Sequence, residues 1–455
     1  MFCKNFLTKW FFLSVIAFGW TLTATIGFAA EQPDTKRPNI VFIISDDHDN
    51  EHLGFMGNSQ VHTPTLDRLA DSGTVFTCAH LTMSRCHPTL ASFLSGRWPH
   101  QTGIYYNYGS KRLGPENSLP LLLKKAGYAT YVGGKYWERH PRKSGFTHGA
   151  DRAAKTFVRK DQDELFRFLD EFAGKKPFFV WWAPCLPHTP HNPPQKYLDL
   201  FKRKEIKIPD WYKGNKKAFR KKEHKSFAME AWLDDSLDQL NKKLKDLKVY
   251  DNTMFVFVID NGWCNGLVSK GSPFEKGLRT PIFFTLPGTI PEGKRFDGLV
   301  STLDLYPTIL DYAGVPVPKT AAGRNLRPTI KGKEDATRDV LFGAIYPSTA
   351  TKGDERPERD IYALYARTKK WKYIFYVQGI NDKGKNKKRL RIYTILTDFP
   401  TRKKGDEDLY DLEADPHELN NLSANPKHKA LMAELKKKAL AWWAETGGKP
   451  LDVEP

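Results

Sequence analysis

Asn39-Ile40-Val41-Phe42-Ile43-Ile44 runs into Ser45-Asp46-Asp47, and Thr253-Met254-Phe255-Val256-Phe257-Val258-Ile259 runs into Asp260-Asn261-Gly262. Both are short, unbroken apolar runs rich in β-branched and aromatic residues, the pattern of a buried strand. Both end in acidic turns. Two further strands read the same way: Thr130-Tyr131-Val132 with its exit Gly133-Gly134-Lys135, and Phe178-Phe179-Val180-Trp181-Trp182, whose exit carries Pro187-His188-Thr189-Pro190-His191. Helical spacing lies between them. Leu66 and Leu69 follow Thr63-Pro64, and Met229, Trp232, Leu237, Leu240 and Leu244 mark one apolar face. Strands alternating with helices predict an α/β fold, a large mixed, mostly parallel sheet sandwiched by helices. In such sheets ligands gather beyond the carboxyl ends of the strands. Asp46, Lys135, His188 and Asp260 each follow a strand, so four polar side chains can meet there.

Outward from this core, Thr74-Val75-Phe76 reads as a short strand and Pro88 to Leu94 as the first turns of a helix with proline near its start. Past about Tyr346 the texture changes. Trp371 to Tyr376 and Arg391 to Ile395 are candidate strands around a basic loop from Lys383 to Arg389, and Lys429 to Trp443 reads as an amphipathic helix. These predict a smaller C-terminal α+β subdomain, an antiparallel sheet plus helix. The N-terminus carries Lys4 and Lys9, then an apolar stretch from Trp10 to Phe28, small residues at 27, 29 and 30, and a polar switch at Glu31. That order predicts a secretory signal peptide, with no stable membrane anchor left after cleavage; an uncleaved anchor is the alternative for an apolar stretch of this length. The expected division is 1–30 signal, 31–345 catalytic domain and 346–455 C-terminal subdomain, and the expected location is secreted or periplasmic.

The 455 residues are 40% hydrophobic and 13% aromatic, enough for a packed core and too ordered in composition for wholesale disorder. Lys and Arg number 71 against 52 Asp and Glu, a formal charge of +19. Such a surface favours polyanions. Nucleic acid has no motif behind it, since zinc-finger spacing, tandem repeats and heptads are all missing. Five cysteines, scattered at 3, 78, 86, 185 and 264, form no disulfide framework.

Asp46-Asp47 with Asp260-Asn261 make a cluster of hard oxygen donors, better suited to calcium or magnesium than to zinc. Burying three carboxylates together without a cation would be costly. Lys135, Lys270 and His188 add positive charge near the same rim. A divalent cation with two lysines would neutralise a sulfate or phosphate, and a histidine can protonate a leaving alcohol.

Cys86-His87-Pro88-Thr89-Leu90-Ala91-Ser92-Phe93-Leu94-Ser95-Gly96-Arg97 resembles the signature of the formylglycine-dependent sulfatases of the alkaline phosphatase superfamily, Cys-x-Pro-Ser-Arg followed by a short apolar run and Thr-Gly-Arg. Further elements are similar in order: Pro38 to Val41 with Asp46-Asp47, Thr63 to Asp67, Gly134-Lys135-Tyr136, Pro187 to Pro190, Asp260-Asn261-Gly262, Lys270-Gly271 with Phe274 to Pro281, and Leu409 to Leu412 with Asp415 to Glu418. The resemblance implies that Cys86 is oxidised to formylglycine by a formylglycine-generating or anaerobic sulfatase-maturating enzyme. Hydrated, residue 86 attacks sulfur while His188 protonates the leaving alcohol. It also implies that Asp46, Asp47, Asp260 and Asn261, with residue 86, ligate one calcium ion (magnesium being the alternative), and that Lys135 and Lys270 hold sulfate oxygens. The implied substrate is an extracellular sulfated saccharide. Two positions depart from the pattern. Leu90 stands where the motif has Arg, a loss of charge and of hydrogen-bond donors for which neighbouring Arg85 is the candidate substitute. Trp137 stands where the family often has His, with His140 off register. A phosphodiesterase or phosphonate hydrolase on the same fold is the competing enzyme reading, and a degenerate sulfatase that binds sulfated glycans without turnover is the non-enzymatic one.

Overall fold

The buried runs are strands in the computed structural model, which describes residues 37–107, 112–138, 140–149, 156–346, 361–378 and 400–451. The central strand β1 (Asn39–Ser45) is buried along its whole length. It pairs in parallel with β5 (Phe178–Ala183) on one side and β6 (Thr253–Ile259) on the other, in register from Asn39 opposite Thr253 to Ser45 opposite Ile259. That register sets Asp46 and Asp260 side by side just past the strand ends. Beyond β5 lie β3 (Ala129–Gly134) and the short β4 (His148–Gly149), both parallel. Beyond β6 the direction changes. Strand β7 (Arg279–Thr285) is antiparallel to β6 and to β2 (Thr74–His80), which is flanked by β8 (Lys294–Phe296) and β9 (Val300–Ser301). The order is β4-β3-β5-β1-β6-β7-β2-β8, with β9 beside β2. The sheet is thus mostly parallel, as the strand–helix alternation predicts, and mixed because β7 runs against its neighbours.

Alternation along β1 divides the apolar interior in two, because successive side chains point to opposite faces. Ile40, Phe42 and Ile44 join one core, with Leu90, Phe93 and Leu94 of the Cys86–Ser95 helix and Leu305, Ile309 and Leu310 of the Leu305–Tyr312 helix. Val41 and Ile43 join the other. There the Lys216–Asp246 helix contributes Met229, Leu233, Leu237, Leu240 and Leu244, and the Asp163–Phe172 helix contributes Leu165, Phe168 and Leu169.

A second sheet holds β10 (Val340–Ile345), β11 (Ala363–Thr368), β12 (Trp371–Tyr376) and β13 (Glu407–Asp411) in that order, all antiparallel. The Lys429–Glu445 helix covers it through Met432, Leu435, Ala439 and Trp443. The strand expected over Arg391 to Ile395, the basic loop before it and the leader at 1–30 lie outside the described residues. The strand read at Thr74 to Phe76 continues to His80, with a register shift between Phe76 and Ala79. The helix read from Pro88 begins two residues earlier, at Cys86. Among the described residues no helix is long and apolar enough to cross a membrane.

Candidate active site

Each polar residue that follows a strand reaches the same point. Asp46 leaves β1 with its N–H donating to Leu186 O at 2.9 Å, which ties the strand end to the loop carrying His188. Asp47 turns at φ 56°, in the left-handed region that side chains other than glycine seldom adopt. Its own N–H donates to Asp260 Oδ1 at 3.1 Å, so the turn is held by the neighbouring strand end. Lys135, just past β3, donates through Nζ to Asp46 Oδ1 and, at 2.7 Å, to Asp260 Oδ2. Lys270 Nζ donates to Asp47 Oδ1 at 2.5 Å, and Asn261 Nδ2 to the same oxygen at 2.6 Å. His188 Nε2 lies 3.4 Å from Asp47 Oδ2, with the histidine side chain 34% exposed at the rim. Cys86 opens its helix, is buried, and its Sγ donates to Asn261 Oδ1 at 3.1 Å. All eight residues singled out in the sequence are therefore one constellation.

Its electrostatics are those of an anionic nest short of positive charge. Burial pushes the Asp46 carboxyl up to about 6 despite the adjacent Lys135. Burial acts the same way on Asp47, but Lys270, His188 and Lys135 together outweigh it and hold that carboxyl well below the usual range. Burial opposes charge on both lysines, yet the carboxylates around them hold both above the ordinary lysine value. The Cys86 thiol is raised, first of all by burial. Ligand atoms of Asp46, Asp47 and Cys86 lie within 4.8 Å of one another, spacing that one metal ion can span. Asp260 and Asn261 complete a set of carboxylate and amide oxygens, which fits a hard divalent cation. The short ties from Lys135 and Lys270 occupy the carboxylate oxygens that such a cation would share.

Sequence reasoning missed Arg159. Its Nη2 donates to Cys185 O at 2.8 Å and His188 O at 2.7 Å, and its Nη1 to Asn192 Oδ1 at 2.7 Å. The guanidinium lies 5.7 Å from the centre of the Trp232 ring. It fixes the Cys185–Asn192 loop through the Asn192 side chain and, for the rest, through backbone carbonyls, which leave no side-chain pattern to read. The departures also resolve. Leu90 is 1% exposed and part of the apolar core, so the motif position faces hydrocarbon here. Trp137 stacks on His87, centroids 5.4 Å apart and planes within 14°, while His87 Nε2 meets Glu138 Oε1 at 3.0 Å. His140 is exposed. Arg85 is buried beside Cys86.

A doubly wound sheet whose strand ends gather hard oxygen ligands, two lysines and a histidine defines a hydrolase for esters of a small oxyanion. The sulfatase family model matches residues 38–315, and that of the N-sulphoglucosamine sulphohydrolase C-terminal region matches 265–385. The chain belongs to the sulfatase family and is a sulfuric ester hydrolase by that membership. An ulvan-active sulfatase of Formosa agariphila is 27% identical over 422 residues, 91% of this chain and 81% of that protein. The N-acetylgalactosamine-6-sulfatase of Sus scrofa is 30% identical, covering 74% and 72%. The solved structure of Ps i-CgsB in complex with k-i-k-neocarrahexaose aligns at a TM-score of 0.69 and 25% identity, covering 90% of this chain and 93% of that one.

Proposed function

We propose that this protein hydrolyses sulfate esters on an extracellular sulfated carbohydrate, with one calcium ion at Asp46, Asp47, Asp260 and Asn261 and a formylglycine made from Cys86. The observation that carries this reading is the meeting of Cys86, both lysines and His188 around the three carboxylates. Calcium there would polarise a sulfuryl oxygen, and formylglycine would supply a hydroxyl nucleophile in place of a thiol. The rest falls to the chain. Lys135 and Lys270 present fixed positive charge to sulfate oxygens in a buried site, where it acts more strongly than in water. His188, at the exposed rim, is placed to give a proton to the departing sugar oxygen. Asn261 and Asp260 hold Asp47 and residue 86 in register. The formal charge of +19 would draw a polyanionic chain towards the protein, and the relatives above are named for sulfated glycans. Export and a formylglycine-generating or anaerobic maturating enzyme complete the proposal.

The deciding experiment is the mass of the tryptic peptide that begins at Cys86, from protein made in its native host, paired with turnover of matched sulfate and phosphate esters. An aldehyde at residue 86, trapped by a hydrazide, with faster sulfate than phosphate release supports the proposal. A faster phosphate or phosphonate reaction moves it to the sister hydrolases. A thiol without turnover leaves a binder of sulfated glycans, the reading that Leu90 favours.

A further inference from the structure

Arg85 caps the Cys86–Ser95 helix and is 3% exposed. Among the described residues its Nε and Nη2 are buried without a hydrogen-bond partner. Native structures seldom leave a guanidinium in that condition, because desolvated donors are costly unless an acceptor meets them. Its place is well defined. Gly271, next to Lys270, donates its N–H to Ser84 O at 2.7 Å, at a φ of +80°. A methyl group on Gly271 would lie 2.3 Å from Arg85 Nη2. The guanidinium is therefore pressed against the turn that carries Lys270. Cys86, Tyr362 and Asp47 are the acidic groups whose fields reach it. Burial pushes it down to about 10, so it stays charged at neutral pH.

A thiol is a weak acceptor, whereas an oxygen on the same β-carbon is a good one. Conversion of Cys86 to formylglycine and its hydrate puts oxygen where sulfur stood, one residue from the unpaired donors. We infer that Arg85 is the positioning residue for the nucleophile: its Nε and Nη2 edge donates to an oxygen carried by residue 86, in place of the guanidinium that Leu90 does not supply. Leu90 is closed into the apolar core and cannot take the part itself. Arg85 has this role only if residue 86 works through oxygen, and so depends on the sulfatase reading of the site.

The test is a double-mutant cycle that needs no turnover. Full-length chains carrying Arg85→Met, Cys86→Ser or both are compared with the unmodified thiol form by thermal unfolding. With cysteine at 86, Arg85→Met removes an unpaired buried charge and is expected to raise the melting temperature. With serine at 86 the same substitution breaks a hydrogen bond and is expected to lower it, the two effects differing by about 3 °C or more. Equal effects in both backgrounds, or an Arg85→Met chain that fails to fold with cysteine present, would overturn the inference. In the aldehyde-bearing enzyme, Arg85→Met should cut kcat at least about tenfold with KM within about twofold, and Arg85→Lys should recover part of the loss. An unchanged kcat also overturns it. A wild-type chain with neither aldehyde nor turnover defeats the sulfatase reading instead, while the thermal cycle still decides whether Arg85 binds an oxygen at residue 86.

Discussion

Asp260 is the residue on which the site's parts depend most directly. One oxygen accepts the Asp47 N–H in its left-handed turn, and the other accepts Lys135. Asp260→Ala removes a proposed calcium ligand and both of these supports at once. It is expected to lower calcium affinity by more than about a hundredfold, beyond what loss of a merely supporting partner produces. Titration calorimetry with calcium, and turnover before and after chelation, would check this; a variant that keeps calcium-dependent activity refutes the ligand assignment. At this scale the sequence was most informative where an acid or lysine stands directly after an apolar strand, because the strand fixes where the next side chain goes. Asp46, Lys135 and Asp260 were legible for that reason. Arg159 was not, since an arginine whose partners are carbonyl oxygens brings no companion residue at a fixed spacing.

At the scale of elements, two contacts between segments far apart in sequence set the geometry. The loop from Cys185 to Asn192 presents His188, and Arg159 holds it by bonds to four stations along that loop. Arg159→Ala should leave the fold intact and lower kcat/KM by about tenfold to a hundredfold through misplacement of His188; an unaltered value would show that the loop holds itself. The second contact caps a helix. Asp234, on the Lys216–Asp246 helix, accepts the backbone N–H groups of Thr65 and Leu66 at the start of the Pro64–Asp71 helix. Burial nevertheless pushes its carboxyl up to about 7 against the pull of those N–H groups. A carboxyl raised above its unfolded value favours the fold when protonated. Its contribution is full below about pH 4 and is lost as pH climbs through about 7, at roughly 1.4 kcal/mol per pKa unit. Asp234→Asn is expected to flatten the dependence of stability on pH between about 4 and 8, read from urea midpoints across that range. A profile as steep as that of the wild type would place the titration elsewhere. The helix itself was legible from its leucine spacing, whereas the direction of β7 was not, because a fully buried run looks the same whichever way it pairs.

Across the whole molecule, one buried carboxylate joins the two sheets. Glu275, just before β7, meets His80 of β2 at 2.9 Å, Lys372 of β12 at 3.1 Å and Arg367 of β11 at 3.5 Å. Burial works against its charge, but His80, Lys372 and Arg367 outweigh that and hold it well below the ordinary range. Glu275→Ala would strand two buried cations and is expected to cost about 3–5 kcal/mol in denaturant unfolding. A loss under about 1 kcal/mol would mean that apolar packing alone holds the sheets together. The C-terminal sheet was only half legible: β12 stood out by its aromatic residues, while β10, β11 and β13 give no clear periodicity. The burial of the Cys86–Ser95 helix has a further consequence. Every one of its ten residues is shielded from solvent, so an enzyme that must grip this segment cannot do so once the chain has folded. On the formylglycine proposal, oxidation of Cys86 would then be a race against folding, and a folded thiol-bearing chain would stay a thiol unless it were unfolded.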